Sequence, residues 1–257
     1  MRYSLVKHKL GQCFSLEMIK TGILFLLTCF AFSYVKAQQH TVFYPKANPG
    51  GLNIGAHAGP SLLIETAPDS LAPEIQNFYN QLRTGWHYGF EADYFFNKYV
   101  GVGARYSRFN TKKEADSIVL QIFSQIYYID ISSNMSIHTL SSLVYGRFLF
   151  LNEKLSTTAS IGPAWLFFRN IGKAVGEESM IKGSLPGLSA SLGVSYEVIP
   201  SLSLGFKGNY IRAFLKEFTQ DNGTSEEVVE LEEKDYQNIS RIDFSFGIFY
   251  TFNKSGR

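Results

Sequence analysis

The sequence predicts an all-β protein, an eight-stranded antiparallel up-and-down transmembrane β-barrel with four long extracellular loops and three short periplasmic turns. Three observations predict it. Runs of roughly ten residues place apolar side chains at every second position, the period of a strand with two unlike faces. Short and long connections alternate between these runs. The face opposite the aliphatic and aromatic residues is rich in Gly and Ser and carries the charges, as a narrow interior requires. A sheet in lipid must pair every backbone donor and acceptor, so it must close on itself.

Leu52 to Leu63 sets Leu52, Ile54, Ala56 and Ala58 against Asn53, Gly55, His57 and Gly59. Gly85 to Phe96 places Trp86, Tyr88, Phe90, Ala92, Tyr94 and Phe96 on one face, and Val100 to Phe109 does so with Val100, Val102, Ala104 and Tyr106. Ile137 to Phe150 is less clean: Leu140, Val144, Phe148 and Phe150 share a face while Leu143 and Leu149 oppose them. Leu155 to Phe168 turns Leu155, Ala159, Ile161, Trp165 and Phe167 outward. Gly187 to Val198 alternates Leu188, Leu192, Val194 and Tyr196 with serines and glycine, and Leu202 to Phe214 begins Leu202, Leu204, Phe206. Ser240 to Phe252 closes the series with Ile242, Phe244, Phe246, Ile248, Tyr250 and Phe252. Short connections fall at 97–99, 151–154 and 199–201, and long ones at 64–84, 110–136, 169–186 and 215–239. A soluble lipocalin-like barrel is the structural rival, and it would put the larger apolar face inside around a ligand.

Composition agrees. Of 257 residues 18% are charged, below the ~25% of soluble domains, and 15% are aromatic. A net charge of +2 gives no general attraction to nucleic acid, and no zinc spacing or basic aromatic patch appears. The N-terminal "MIKTGILFLLTCFAFSYVKA" has Lys20, an apolar run from Thr21 to Val35, and small Ala37, the order of parts in a secretory signal peptide. The expected organisation is a signal peptide at 1–37, with Met18 as an alternative start, a linker at 38–51, the barrel at 52–252 and a tail at 253–257. Both cysteines, Cys13 and Cys29, fall in the signal, so the exported chain has no disulfide or thiol chemistry. After residue 37 no apolar run reaches the ~18 residues of a membrane helix.

Several stretches resemble the PorT-like outer-membrane β-barrel family of Gram-negative bacteria: "LNIGAHAGPSL", "ASIGPAWLF", "SLGVSYEVIPSLSLGFKGNY" and a last strand ending in Phe252. The resemblance spans Leu52 to Phe252 and implies the cell outer membrane as the location. One branch of that family is similar to a component of a secretion apparatus, and most members have no assigned activity.

The stretch "GFEADYFFNKYVGVGARYS" fixes a register. A three-residue turn, Asn97-Lys98-Tyr99, pairs Phe96 with Val100 and so sets Glu91 opposite Arg105, both pointing inward. A shift by one residue would send charges into lipid, at ~2–4 kcal/mol for a basic group at the midplane. The same alternation points Asp93, Arg147, Glu197, Lys207, Arg241 and Asp243 inward, giving a balanced lumen charge network of four acids and four bases. Eight strands enclose only enough room for side chains, so the expected role is a salt-bridged plug, with a proton or small-ion path as the alternative.

His57, His87 and His138 are candidates for a lipid-modifying rim site, but spacing assembles no triad from them. The acidic loop 215–239 is a candidate for divalent cations, without the spacing of a calcium loop. The apolar "SIVLQIFSQIYYIDI" in loop 110–136 implies either strands extending as a hairpin beyond the membrane or a surface for a partner. The leading expectation is therefore a non-enzymatic outer-membrane barrel that needs no cofactor. Its expected partners are outer-membrane lipid, lipopolysaccharide and an envelope protein met through the loops. The alternatives are a rim-active lipid-modifying enzyme and a narrow solute channel.

Overall fold

The computed structural model describes residues 51–65, 73–122, 125–151, 153–174, 177–221, 223, 225–233 and 236–253. The expected signal peptide, nearly all of the linker and most of the tail lie outside the described residues. The predicted period-two runs become β1 (Gly51–Leu63), β2 (Thr84–Phe95), β3 (Val100–Ile122), β4 (Gln125–Phe150), β5 (Leu155–Ala174), β6 (Glu177–Ile199), β7 (Leu202–Leu215) and, after three shorter strands, β11 (Arg241–Asn253). Each of the eight pairs antiparallel with its chain neighbour in this set, and β11 also pairs with β1, from Leu52 opposite Phe252 to Leu63 opposite Arg241. The ring is closed and has no free edge.

The two faces are inverted relative to a protein in water. Phe246 is 71% exposed and Phe90 59%, while Glu91 is 4% and Arg241 0% exposed. Only a solvent that welcomes hydrocarbon makes such an outer wall favourable. Tyr94, Phe96, Tyr99, Phe150, Tyr196, Tyr250 and Phe252 ring the short-turn end, and Trp86, Trp165, Phe167, Tyr210 and Phe244 lie exposed nearer the other end, the two aromatic girdles of a spanning barrel. No helix among the described residues is long and apolar enough to cross a membrane.

The short turns lie where expected. Asn97 closes the first, its Oδ1 accepting the amides of Tyr99 at 2.8 Å and Val100 at 2.9 Å. Phe96 N–H donates to the Val100 carbonyl at 3.0 Å, the predicted pairing.

The long connections are more ordered than loops. β3 and β4 run 23 and 26 residues, β5 and β6 20 and 23, against 12 to 14 for β1, β2, β7 and β11. Much of 110–136 and 169–186 is therefore strand, which carries one side of the wall far beyond the other. Within 215–239, β8 (Glu217–Asp221) pairs with the upper part of β6 and with β9 (Glu226–Glu230), while β10 (Gln237–Asn238) pairs with β7. The connection 64–84 contains α1 (Pro73–Leu82), with Pro at its first position. The helix buries Phe78 and Leu82, one turn apart, and packs against β2 and β3.

The interior is layered. Near the short turns Phe95, Leu143 and Tyr145 form a small apolar plug. Polar and charged groups fill the middle. Toward the other end Leu63, Phe109, Ile137, Leu166, Leu185 and Ile211 belong to a buried apolar cap. Gly89 is required where strands crowd in the middle layer: a Cβ there would run into the Tyr106 carbonyl and stand 2.8 Å from His57 Nε2. Outward-facing Gly146 has open space instead. Gly89→Val is therefore expected to abolish the heat-dependent gel shift of the folded barrel, while Gly146→Val retains it. A folded Gly89→Val protein would contradict the packing.

Candidate functional site

The polar middle of the lumen is built from inward positions of facing strands. Arg105 on β3 donates through Nε to Glu91 Oε2 on β2 at 2.8 Å, across the register pair that sets the two residues opposite each other. Its other nitrogens cross the lumen, Nη1 to Asn209 Oδ1 on β7 at 3.1 Å and Nη2 to Ser191 Oγ on β6 at 3.1 Å. Lys207 on β7 returns the connection, its ammonium donating to Glu91 Oε1. One carboxylate thus holds a cation from its neighbouring strand and another from the opposite wall. Asp93 lies two positions nearer the short turns; its Oδ1 has no hydrogen-bond partner.

A second node sits closer to the cap. Arg241 Nε faces Asp243 at 3.2 Å on the same strand, and its Nη2 donates to Ser107 Oγ on β3 at 2.7 Å. Arg241 Nη1 reaches the Ile137 carbonyl of β4 at 3.4 Å, and its guanidinium lies 5.7 Å from the centre of the Phe109 ring. Asp243 also accepts from Ser61 Oγ and, at 3.2 Å, from Asn209 Nδ2. Asn209 joins the nodes, because its Oδ1 serves Arg105 and its Nδ2 serves Asp243.

Six of the eight expected lumen charges are thus buried in the middle: Glu91, Asp93, Arg105, Lys207, Arg241 and Asp243. Arg147 and Glu197 lie apart from these six. Both lie half-buried at the short-turn end. Arg147 Nε donates to the Lys98 carbonyl at 3.0 Å and its guanidinium stacks 3.9 Å over Phe95. Glu197 Oε1 accepts the Ser201 amide at 3.0 Å. Inward alternation places both correctly in direction, but their position along the strands assigns them to the turns. Three acids and three bases remain, still balanced.

His57 and His87 also point into the lumen, with ring centres 6.0 Å apart and no hydrogen-bond partner at either Nδ1. His87 Nδ1 stands 4.0 Å from Asp243 Oδ1, so Ser61, His87 and Asp243 share one corner. Ser61, however, donates straight to the carboxylate and all three are buried beside the apolar cap. A nucleophilic serine needs its base to take that proton, and here the acid holds it. His138 faces outward instead, its Nδ1 2.7 Å from the Tyr106 hydroxyl. Among the described residues no cluster of three or more His, Cys, Asp or Glu is arranged to hold a metal ion, the acidic segment 217–233 included.

Residue spacing did not single out Asn209, Ser61, Ser107 or Ser191, although each occupies the inward parity of its strand. The apolar cap was also missed. Around Leu166 and Phe168 both faces of the strand are apolar, Trp165 and Phe167 lying outward, so alternation has nothing to report.

A closed ring of eight strands with hydrocarbon outside and charge inside is the fold of an outer-membrane β-barrel. The chain is similar to a major outer membrane protein from Thermus thermophilus, at 15% identity over 79% of this chain and 99% of that one, with a TM-score of 0.53. It is also similar to the outer membrane protein OprG from Pseudomonas aeruginosa, at 12% identity over 80% and 96% with a TM-score of 0.49. No family model and no curated protein matches the sequence.

Stranding a buried charge costs more than removing the whole ion pair. Glu91→Met should destabilise the refolded barrel by about 3–5 kcal/mol in urea unfolding from lipid vesicles, because Arg105 and Lys207 lose their shared acceptor. Adding Lys207→Met to that variant should recover part of the loss. A double variant whose cost equals the sum of the single ones would show that the two groups do not interact.

Proposed function

We propose that the protein is a non-enzymatic integral barrel of the cell outer membrane whose lumen is structural and whose work is done by the extended wall of β3 to β6 with β8 and β9. The observation that carries it is the filled interior: cross-lumen charge pairs lie between the Phe95–Leu143–Tyr145 plug and the apolar cap. Eight strands leave no spare bore once such side chains fill it. The projecting sheet, by contrast, is a large surface paired strand to strand with the barrel, with a register shift between Ala115 and Ile118, and it offers strand faces and the exposed edge of β9 to a partner.

With both short-turn connections and strand ends on the periplasmic side, this wall faces the cell exterior. Outer-membrane lipid and lipopolysaccharide surround it, and an envelope protein is the partner class expected for its surface. The sequence resemblance to the PorT-like family supports a place in envelope or secretion-system organisation.

Purified barrel in planar bilayers should give no stable conductance steps. Unitary steps that persist in the wild-type protein would overturn the sealed lumen and favour the channel reading. Lipopolysaccharide from cells with and without the gene should have the same mass; a gained or lost acyl chain would overturn the non-enzymatic reading.

A further inference from the structure

On the outer face, where the lipid-facing wall gives way to the projecting sheet, four neighbouring strands each contribute one basic side chain. Arg108 of β3 lies directly opposite His138 of β4, and Arg169 of β5 directly opposite Lys182 of β6, with Ser136 of β4 across from Arg169. They line a groove of about 610 Å³. Arg169 and Lys182 are like charges set directly opposite each other on adjacent strands, which is destabilising unless something between them is negative. Among the described residues no carboxylate is within ion-pair distance of Arg108, Arg169 or Lys182. The nearest acids by register, Glu217 and Asp221, stand two positions to either side of Thr219, which is the partner of Lys182.

The cations are held in place by neutral groups. Arg108 Nε donates to Asn110 Oδ1 at 3.0 Å, and Arg169 Nε contacts Met180 Sδ at 3.2 Å. Each guanidinium keeps its terminal nitrogens for another acceptor, and the Tyr106 contact at His138 Nδ1 leaves Nε2 available. Immediately toward the short-turn end the same face is Leu140, Trp165 and Phe167, all exposed. A ligand here would meet hydrocarbon-compatible surface on one side and a fork of cations on the other.

The geometry points to a binding site for the phosphate of a lipid head group in the outer leaflet, its acyl chains lying along Leu140 and Trp165. Guanidinium forks match phosphate oxygens in bidentate fashion, and Lys182 adds a point charge. The site rests on the membrane reading of the barrel and names the lipid chemistry which that reading leaves open.

The test uses the full barrel refolded in detergent, with Trp86→Phe so that Trp165, at the groove, is the tryptophan that reports. Lipid A bearing phosphates should shift the Trp165 emission and bind about tenfold or more tightly than the same lipid after phosphatase treatment, the scale of one or two charge-assisted contacts. Arg108→Gln/Arg169→Gln/Lys182→Gln should erase that preference while keeping the heat-dependent gel shift. Equal affinity for the phosphorylated and dephosphorylated lipid would overturn the site, and that comparison needs no variant. Displacement by inorganic phosphate at equal concentration would overturn its assignment to a lipid. Failure of the membrane reading itself would look different: the protein would stay soluble and folded without detergent.

Discussion

Everything else in this barrel depends on one carboxylate held between two cations. Glu91 accepts from Arg105 on the adjacent strand and from Lys207 on the far wall. A buried acid alone would be prohibitive, and either base alone equally so. Together they are compatible with a dry interior only when strand register and ring closure are both correct. The pair on adjacent strands specifies the register of β2 against β3, while the pair across the lumen specifies which strands face each other. Arg241 repeats the device nearer the cap, reaching from β11 to Ser107 and Ile137. Such a network adds little net stability and much specificity, because every slipped register would strand several charges at once.

Apolar layers flank that network on both sides. Leu166, Ile211 and Phe109 lie on the long-loop side, and Phe95 with Tyr145 on the other. Low local polarity strengthens each hydrogen bond in the middle and raises the cost of breaking it. Small residues make the arrangement possible, since a side chain at Gly89 would collide with the neighbouring strand's backbone. On its outside the molecule presents an apolar wall, a basic row at the boundary and a projecting sheet.

How much of this was legible in the residues depends on which physical signal each feature leaves. Alternation carried the eight strands, and it carried the Glu91–Arg105 pairing because a short turn links the two runs. It also named Lys207 as inward, but not as the partner of Glu91, since 116 residues separate them and only the stagger of the closed ring brings them together. Arg147 shows the opposite limit: parity gives direction, not depth. The helix α1 hides in a connection, although Ile75, Phe78, Tyr79 and Leu82 have helical spacing. Of the two long hairpins, 110–136 showed itself as one of two readings through its apolar "SIVLQIFSQIYYIDI", whereas 169–186 read as a loop because Lys173, Glu177, Glu178 and Ser179 leave no apolar alternation. The basic row at the boundary escaped notice because its members lie on four separate runs, and pairing alone makes them neighbours.

The claim that the two walls are tied by charge is most directly tested by solid-state NMR of the barrel in lipid bilayers, with nitrogen-15 in the lysine ammonium and carbon-13 in the glutamate carboxylates. The account predicts a through-space cross-peak between Lys207 Nζ and the Glu91 carboxylate that disappears in Lys207→Met. A folded barrel in which Lys207 correlates with no carboxylate would contradict it.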